Sequence, residues 1–243
     1  MTSLSCRDSR KLSIVIPCYN EAATLESIVD RVMVANRMGL DLEVLIVDDG
    51  SRDGTAEVAD NLAGRHTQVR VIHHPTNRGK GAAMRTGFAQ ITGDVALVQD
   101  ADLEYSPDDY PKLLKPILDG RADVVFGSRF RSSEEARILY FWHAAANKGL
   151  TFLSNMMTNL NLSDMETGYK VFRREVISRI SIRENRFGFE PEITAKIARL
   201  RPSPRIYEVG VSYSGRTYEE GKKIGLKDGI RAIWCILRYN LFP

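Results

Sequence analysis

Along the first half of the chain, short apolar runs alternate with longer segments whose apolar residues recur at helical spacing. Leu12 to Pro17 (LSIVIP) is apolar at nearly every position, the pattern of a strand buried on both faces. From Glu21 to Met38, Leu25, Ile28, Val29 and Val32 predict a helix, with Asn20 as its expected N-cap. Glu43 to Val47 reads as a second strand, ended by Asp48-Asp49-Gly50-Ser51. A helix over Thr55 to Leu62, a strand over Val69 to Ile72, a helix over Gly81 to Gln90 and a strand over Val95 to Val98 follow. Ser106-Pro107-Asp108-Asp109 has the make-up of a helix start, and Val124 to Gly127 reads as a fifth strand. This order predicts an α/β fold with a mostly parallel central sheet flanked by helices. Ligands of such sheets bind beyond the carboxyl ends of the strands. Pro17 to Glu21, Asp48 to Gly50 and Asp100 to Asp102 all fall there.

Composition narrows the class. The 243 residues are 43% hydrophobic and 27% charged, ordinary for a globular domain. No apolar run approaches the ~20 residues of a membrane span, and Met1 to Lys11 is polar rather than a signal peptide. Cys6, Cys18 and Cys235 are odd in number and far apart, which suits reduced thiols and a cytoplasmic protein. The four histidines, His66, His73, His74 and His143, lack metal-ligand spacing. From Arg199 onward there are nine Lys and Arg against four Asp and Glu, so the C-terminal part is the basic part and suits an anionic partner. With no long basic cluster or binding module, nucleic acid is not the expected partner.

The candidate chemistry centres on Asp100 and Asp102. They follow a strand and are spaced so that an extended backbone aims both carboxylates at one point. Two carboxylates that close need a cation, and hard oxygen ligands suit Mg²⁺ or Mn²⁺ bridging to a diphosphate. A solvated loop with two helix-capping acids is the alternative reading. Gly79-Lys80-Gly81-Ala82 is glycine-rich but lacks the third glycine of the dinucleotide fingerprint, and no P-loop is present. Hydride transfer and P-loop hydrolysis therefore fit poorly.

Three segments together resemble glycosyltransferase family 2 with its GT-A fold: Ile14-Val15-Ile16-Pro17-Cys18-Tyr19-Asn20-Glu21, Val47-Asp48-Asp49-Gly50-Ser51-Arg52-Asp53-Gly54-Thr55 and Gln99-Asp100-Ala101-Asp102. Asn77-Arg78-Gly79-Lys80-Gly81, Gly127-Ser128-Arg129-Phe130 and Asp164-Met165-Glu166-Thr167-Gly168-Tyr169-Lys170 narrow the resemblance to the polyprenyl-phosphate, dolichyl-phosphate mannose synthase-like branch, over about Leu12 to Lys223. It implies a catalytic domain over residues 1–225 and an amphipathic helix over 226–243. It implies inverting transfer of a hexose from a nucleotide-diphosphate sugar, GDP-mannose or a UDP-hexose, to a polyprenyl phosphate. A family 2 transferase acting on a saccharide hydroxyl, and a non-catalytic nucleotide-sugar-binding subunit, are the alternatives.

The resemblance also implies roles. Pro17, Tyr19, Asn20 and Glu21 shape the base and ribose pocket, and Asp48 hydrogen-bonds base or ribose. Asp100, Ala101 and Asp102 hold the metal and the diphosphate, with Glu104 as a further ligand. Lys80 meets a phosphate near a helix N-terminus, or is a solvated loop lysine. A lipid phosphate is already an oxyanion, so it needs positioning more than a base; Arg129 is the first choice for that, Arg131 the second. Asp164 acts as base toward a hydroxyl acceptor, orients sugar and acceptor, or caps the turn into Thr167-Gly168. Glu190 and Glu192 open a helix through Ile193, Ile197 and Leu200, where acids are favourable in any protein. Arg216, Lys222 and Lys223 lie in a glycine-containing basic loop expected to close over the diphosphate.

Near the C-terminus, Ile230, Ile233, Trp234, Leu237 and Leu241 share one helical face, with Arg231 and Arg238 on another. Such a helix lies on a membrane surface, or packs on its own domain or on a second subunit. Ile138 to Trp142 and the helical stretch to Leu160 form a second apolar candidate. The expectation is a peripheral protein on the cytoplasmic face, one that relies on a membrane-protein partner, or one with a soluble acceptor.

Overall fold

A computed structural model of the chain describes residues 11–131, 138, 140–215 and 226–242. Seven strands among them form one sheet: β1 (Lys11–Cys18), β2 (Asp41–Asp48), β3 (Val69–His73), β4 (Val95–Val98), β5 (Val124–Ser128), β6 (Lys170–Arg173) and β7 (Ile206–Gly210). Their order is β3-β2-β1-β4-β6-β5-β7. The pairings β1 with β2, β1 with β4, β2 with β3 and β5 with β7 are parallel, whereas β6 runs antiparallel to both β4 and β5. The expected mostly parallel sheet is present, with β5 separated from β4 by the short reversed strand.

Burial on both faces explains the continuous apolar runs. Every residue from Leu12 to Ile16 is fully buried. Ile14 and Ile16 join Val44 and Ile46 in one core, beneath α1 (Leu25–Val34), α2 (Thr55–Arg65) and α4 (Tyr110–Leu118). Val15 joins Leu45 and Val47 in the other, beneath α3 (Lys80–Gln90), the short α6 (Arg174–Ile177) and α7 (Phe189–Arg199). Each such side chain contributes about 1.5–3 kcal/mol by leaving water.

The first helix starts later than its periodicity predicts. It begins at Leu25, and Asn20 takes φ +53° instead of capping it. Local bonds to the segment after β2 explain the delay. Asn20 N donates to Ser51 Oγ at 3.0 Å, Glu21 N to Thr55 Oγ1 at 2.9 Å, and the Asn20 carboxamide oxygen accepts from Arg52 N at 2.9 Å. The backbone that would have formed the first helical turn is instead stitched to its neighbour.

Two helices carry the apolar outer faces. In α8 (Leu226–Leu241), Ala232, Cys235, Ile236 and Tyr239 are buried, and the helix packs on α7 and α5 (Phe141–Thr158). The stripe of Ile230, Ile233, Trp234, Leu237 and Leu241 stays exposed, as do Phe141, Trp142, Phe152 and Met156 of α5. The helix thus docks on its own domain by one face and leaves a second apolar face outward. Among the described residues no helix is long and apolar enough to cross a membrane.

Candidate active site

The carboxyl ends of β1, β4 and β5 converge with the N-termini of α3 and α7 around a cavity of about 410 Å³. Pro17, Tyr19, Glu21, Lys80, Asp100, Ala101, Asp102, Glu104 and Arg129, all singled out in the sequence, line it.

Its acidic floor is fixed from behind. The buried Gln99 accepts from Tyr110 Oη at 2.8 Å and Tyr169 Oη at 2.7 Å, and its amide donates to the Asp100 carbonyl at 3.0 Å. This pins the turn that carries the acids. Asp102 Oδ1 accepts from Glu104 N at 3.1 Å, and the Glu104 carboxylate accepts from Tyr213 Oη at 2.8 Å. The absence of a side chain at Gly168 matters here, because a Cβ would overlap Asp100 Oδ2.

Lys80 reaches across from the start of α3. Its ammonium lies 2.9 Å from Asp100 Oδ1 and 3.1 Å from Glu190 Oε1. Burial favours the neutral amine, but the two carboxylates outweigh it and hold the ammonium charged well above the ordinary lysine range. Gly79, at φ +99°, lets this turn press against the 182–188 loop: a Cβ there would overlap the Asn185 carbonyl oxygen. That loop brings Arg186 and Phe187 to the cavity wall.

The two acids at the end of β2, Asp48 and the following Asp49, divide their work. Asp49 lines the cavity; its carboxylate accepts from Arg78 N at 3.0 Å and Gly79 N at 2.6 Å and sits 2.6 Å from His74 Nδ1. Asp48 does not line it. Its carboxylate accepts from Ser51 N at 3.1 Å and lies 3.0 Å from His73 Nδ1. Asn20 is likewise turned to Arg52 rather than inward.

Arg129 and Asp164 form a closed pair. Arg129 Nε donates to Asp164 Oδ2 at 2.7 Å, Nη2 to Oδ1 at 2.8 Å, and the Arg129 backbone N–H to Oδ2 at 3.1 Å. Asp164 is fully buried behind the arginine rather than on the cavity wall. Glu208 on β7 secures the loop beneath: it accepts from Ser163 N at 2.8 Å and Asp164 N at 3.1 Å. Arg131 is spent on the same carboxylate at 2.9 Å, half-exposed and off the cavity wall. Arg216, Lys222 and Lys223 lie outside the described residues.

Sequence reasoning passed over Tyr105, Tyr213, Arg186, Glu166 and Lys170, and left Glu190 as a helix-start acid. Glu166 and Glu190 line the cavity, and each keeps one buried carboxylate oxygen with no hydrogen-bond partner among the described residues. Burial, with Glu190 alongside, raises the Glu166 carboxyl to about 8. Behind it, the buried Lys170 donates to the Thr167 carbonyl, and burial lowers its pKa to about 8.

Comparison with known proteins agrees with this geometry. The model of the family described as Glycosyl transferase family 2 matches residues 13–181. A dolichol-phosphate mannosyltransferase of Pyrococcus furiosus is 30% identical over 95% of this chain and 64% of its own length. An undecaprenyl-phosphate mannosyltransferase of Micrococcus luteus is 31% identical over 87% of this chain and 86% of its own length. The chain spans under two thirds of the Pyrococcus protein and of an Aeromonas hydrophila relative, 63% of which it covers. Glucosyl-3-phosphoglycerate synthase from Mycobacterium tuberculosis, crystallised with Mn²⁺ and UDP-glucose, superposes with a TM-score of 0.74 at 22% identity, over 96% of this chain and 80% of its own. That likeness carries the GT-A fold. The family match takes in β2 to β6 and the acids of the cavity floor, and on it the chain belongs to glycosyl transferase family 2.

Proposed function

We propose that this chain transfers a hexose, with inversion, from a nucleoside-diphosphate sugar to a polyprenyl phosphate, with help from Mg²⁺ or Mn²⁺. The observation that carries the reading is one cavity with an acid pair, Asp100 and Asp102, at a strand end and a restrained arginine, Arg129, beside it. The relatives' names support the acceptor class, since they act on dolichyl or undecaprenyl phosphate. They differ in the sugar, being named for mannose and for 4-deoxy-4-formamido-L-arabinose, a pentose, so the assay below screens several donors.

The acid pair fits a divalent cation. Asp100 already takes a positive charge at 2.9 Å, the Lys80 ammonium, so the position is built for one. No group of three or more His, Cys, Asp or Glu among the described residues could cage a metal. Asp100 and Asp102, both on the cavity wall, would be the residues that hold it. When bound, the ion supplies Lewis-acid stabilisation of the charge on the leaving diphosphate. Glu104, occupied by Tyr213, is a weaker ligand candidate than the sequence pattern implies.

In the reaction an acceptor phosphate oxygen attacks the anomeric carbon as the bond to the donor diphosphate breaks. The nucleoside diphosphate leaves, and no proton has to be removed from an ionised phosphate. Arg129 spends Nε–H and one Nη2–H on Asp164 and keeps its other donors for an anion. Asp164 orients it in this scheme and is not a base. Lys80 is placed to turn from Asp100 to a donor phosphate. The outward apolar faces of α5 and α8, edged by Arg231 and Arg238, serve a peripheral stance on the membrane that holds the acceptor.

The test is a transfer assay with radiolabelled GDP-mannose, UDP-glucose and UDP-N-acetylglucosamine, undecaprenyl phosphate in detergent micelles, and Mn²⁺, Mg²⁺ or EDTA. Label should enter the organic phase with at least one donor, and should be lost with EDTA and in Asp102→Ala, while the variant's melting temperature holds. Transfer at full rate in Asp102→Ala, or label appearing only on a saccharide acceptor, would overturn the reading.

A further inference from the structure

Glu184 is a buried acid, 7% exposed, that the proposed reaction leaves unused. It sits in the 182–188 loop, between α8 and the start of α3. Its side chain faces α8. Oε2 accepts from Arg231 Nη2 at 2.8 Å, and Oε1 accepts from the same nitrogen at 3.1 Å and from Tyr239 Oη at 2.9 Å. Arg231 and Tyr239 stand about two turns apart on α8 with Cys235 between them. A Cβ on Gly188 would overlap the Cys235 sulfur, so the loop lies tight against the helix. The backbone of the loop faces the other way. A Cβ on Gly81 would overlap the Glu184 carbonyl oxygen, Ala82 N donates to the Asn185 carbonyl at 3.1 Å, and Arg85 Nη2 donates to Asn185 Oδ1 at 2.9 Å. Lys80, whose ammonium meets Asp100, is the residue before Gly81. The same loop contributes Arg186 and Phe187 to the cavity wall.

Docking a helix does not by itself call for such an acid. Ala232, Cys235, Ile236 and Tyr239 already bury an apolar seam, and a buried ion pair typically stabilises no better than apolar residues of like volume. What the pair adds is register. One carboxylate bonded from two turns of α8 fixes where the helix lies along its axis, and so where the loop lies over α3. Resting on the glycosyl-transfer reading, we propose that Glu184 is a positioning residue for the donor: through it α8 holds the 182–188 loop, and with it the Lys80 turn and the Arg186–Phe187 wall, in the geometry that takes the nucleoside diphosphate. Glu184, Arg231 and Tyr239 are not among the residues that line the cavity, so they act on the donor only through the loop. Small displacements of a binding wall are costly, because its groups must meet the ligand within fractions of an ångström.

The experiment measures binding of UDP and GDP with Mn²⁺ by calorimetry, without lipid and well below each protein's melting temperature. Wild type, Glu184→Gln, Arg231→Met, Arg231→Lys and the double variant Glu184→Gln with Arg231→Met are compared. Glu184→Gln and Arg231→Met should each weaken the nucleotide that the wild type binds by about tenfold. The double variant should be weaker than the worse single one by no more than about twofold, since both break one link. A single nitrogen of Arg231 makes both bonds, so Arg231→Lys should bind more tightly than Arg231→Met. In the transfer assay the loss should fall on the donor KM, with the acceptor KM and kcat within about threefold of wild type. The Arg231 side chain is half-exposed, so Arg231→Met tests the link even where Glu184→Gln fails to fold. A lower melting temperature with nucleotide affinity unchanged would make the pair a fold contact only and overturn the inference. So would losses that multiply in the double variant, or a fall in kcat and acceptor affinity as large as that in donor affinity. If the wild type binds neither nucleotide, the glycosyl-transfer reading itself fails, and this inference with it.

Discussion

Removing Asp164 tests whether it serves Arg129 or the chemistry directly. The pair makes two side-chain bonds of 2.7 and 2.8 Å, and the carboxylate takes a third from the Arg129 backbone at 3.1 Å. Asp164 is fully buried and the arginine side chain is 13% exposed. At an effective dielectric of ~20, unit charges about 4 Å apart attract by roughly 4 kcal/mol, much of it offset by desolvation. Deleting one partner of such a pair leaves an uncompensated buried charge, at a cost of about 3–5 kcal/mol. Asp164→Ala and Arg129→Ala should each lose that much stability, whereas the double variant should lose clearly less than their sum. The coupling expected in a double-mutant cycle is about 2–3 kcal/mol, read from urea denaturation of the four proteins.

The kinetic half separates positioning from proton transfer. Asp164→Asn keeps the shape but turns an amide N–H₂ or a single oxygen toward Arg129's donors. With a phosphate acceptor it should raise the acceptor KM far more than it lowers kcat, and the rate should keep its pH profile. Coupling below about 0.5 kcal/mol would refute the pairing argument. A collapse of kcat with the acid limb of the pH profile gone, at unchanged stability, would make Asp164 the base.

Three further outcomes follow from other contacts. Gly168→Ala should leave the protein folded but cut transfer at least tenfold, because its Cβ would overlap Asp100 Oδ2; wild-type rates in that variant would show that Asp100 can move without consequence. Replacing Ile233 and Trp234 together by Ser should reduce co-sedimentation with anionic lipid vesicles and leave nucleotide binding unchanged, since both side chains point outward from α8; undiminished sedimentation would count against the membrane stance. Burial pushes the Asp123 carboxyl up, but hydrogen bonds from Arg205 outweigh it and hold the group below its usual range, so its stabilisation is present above the unfolded value of about 3.9 and fades as pH falls through the folded one. Asp123→Asn should therefore be less stable than wild type at neutral pH, with a gap that narrows below pH ~4 in urea titrations; a gap independent of pH would remove the ion pair from the account.

Patterns that repeat along the backbone were legible in the sequence, and patterns made by convergence were not. β1, β2 and β4 could be read because both faces of the sheet are covered, which makes their sequences apolar throughout. β6 could not: it is four residues, Lys170 to Arg173, and becomes a strand only between β4 and β5, dozens of residues away. The same contrast governs the acids. Asp100 and Asp102, spaced by two, stand just beyond a strand end and both reach one cavity, so they declared themselves, although a turn and not the expected extended backbone carries them there. Two acids with that spacing at a helix start point about 200° apart, so only one can face a ligand. Glu192 turns back to accept from Arg183 N and Glu184 N at 2.7 Å and pairs with Lys196, holding the 182–188 loop. Glu190, on the other side of the same turn, faces the cavity. Both acids satisfy the helix terminus equally well, so local preference could not rank them. The deciding contact is Lys80, which arrives from 110 positions earlier in the chain and makes Glu190 part of the site.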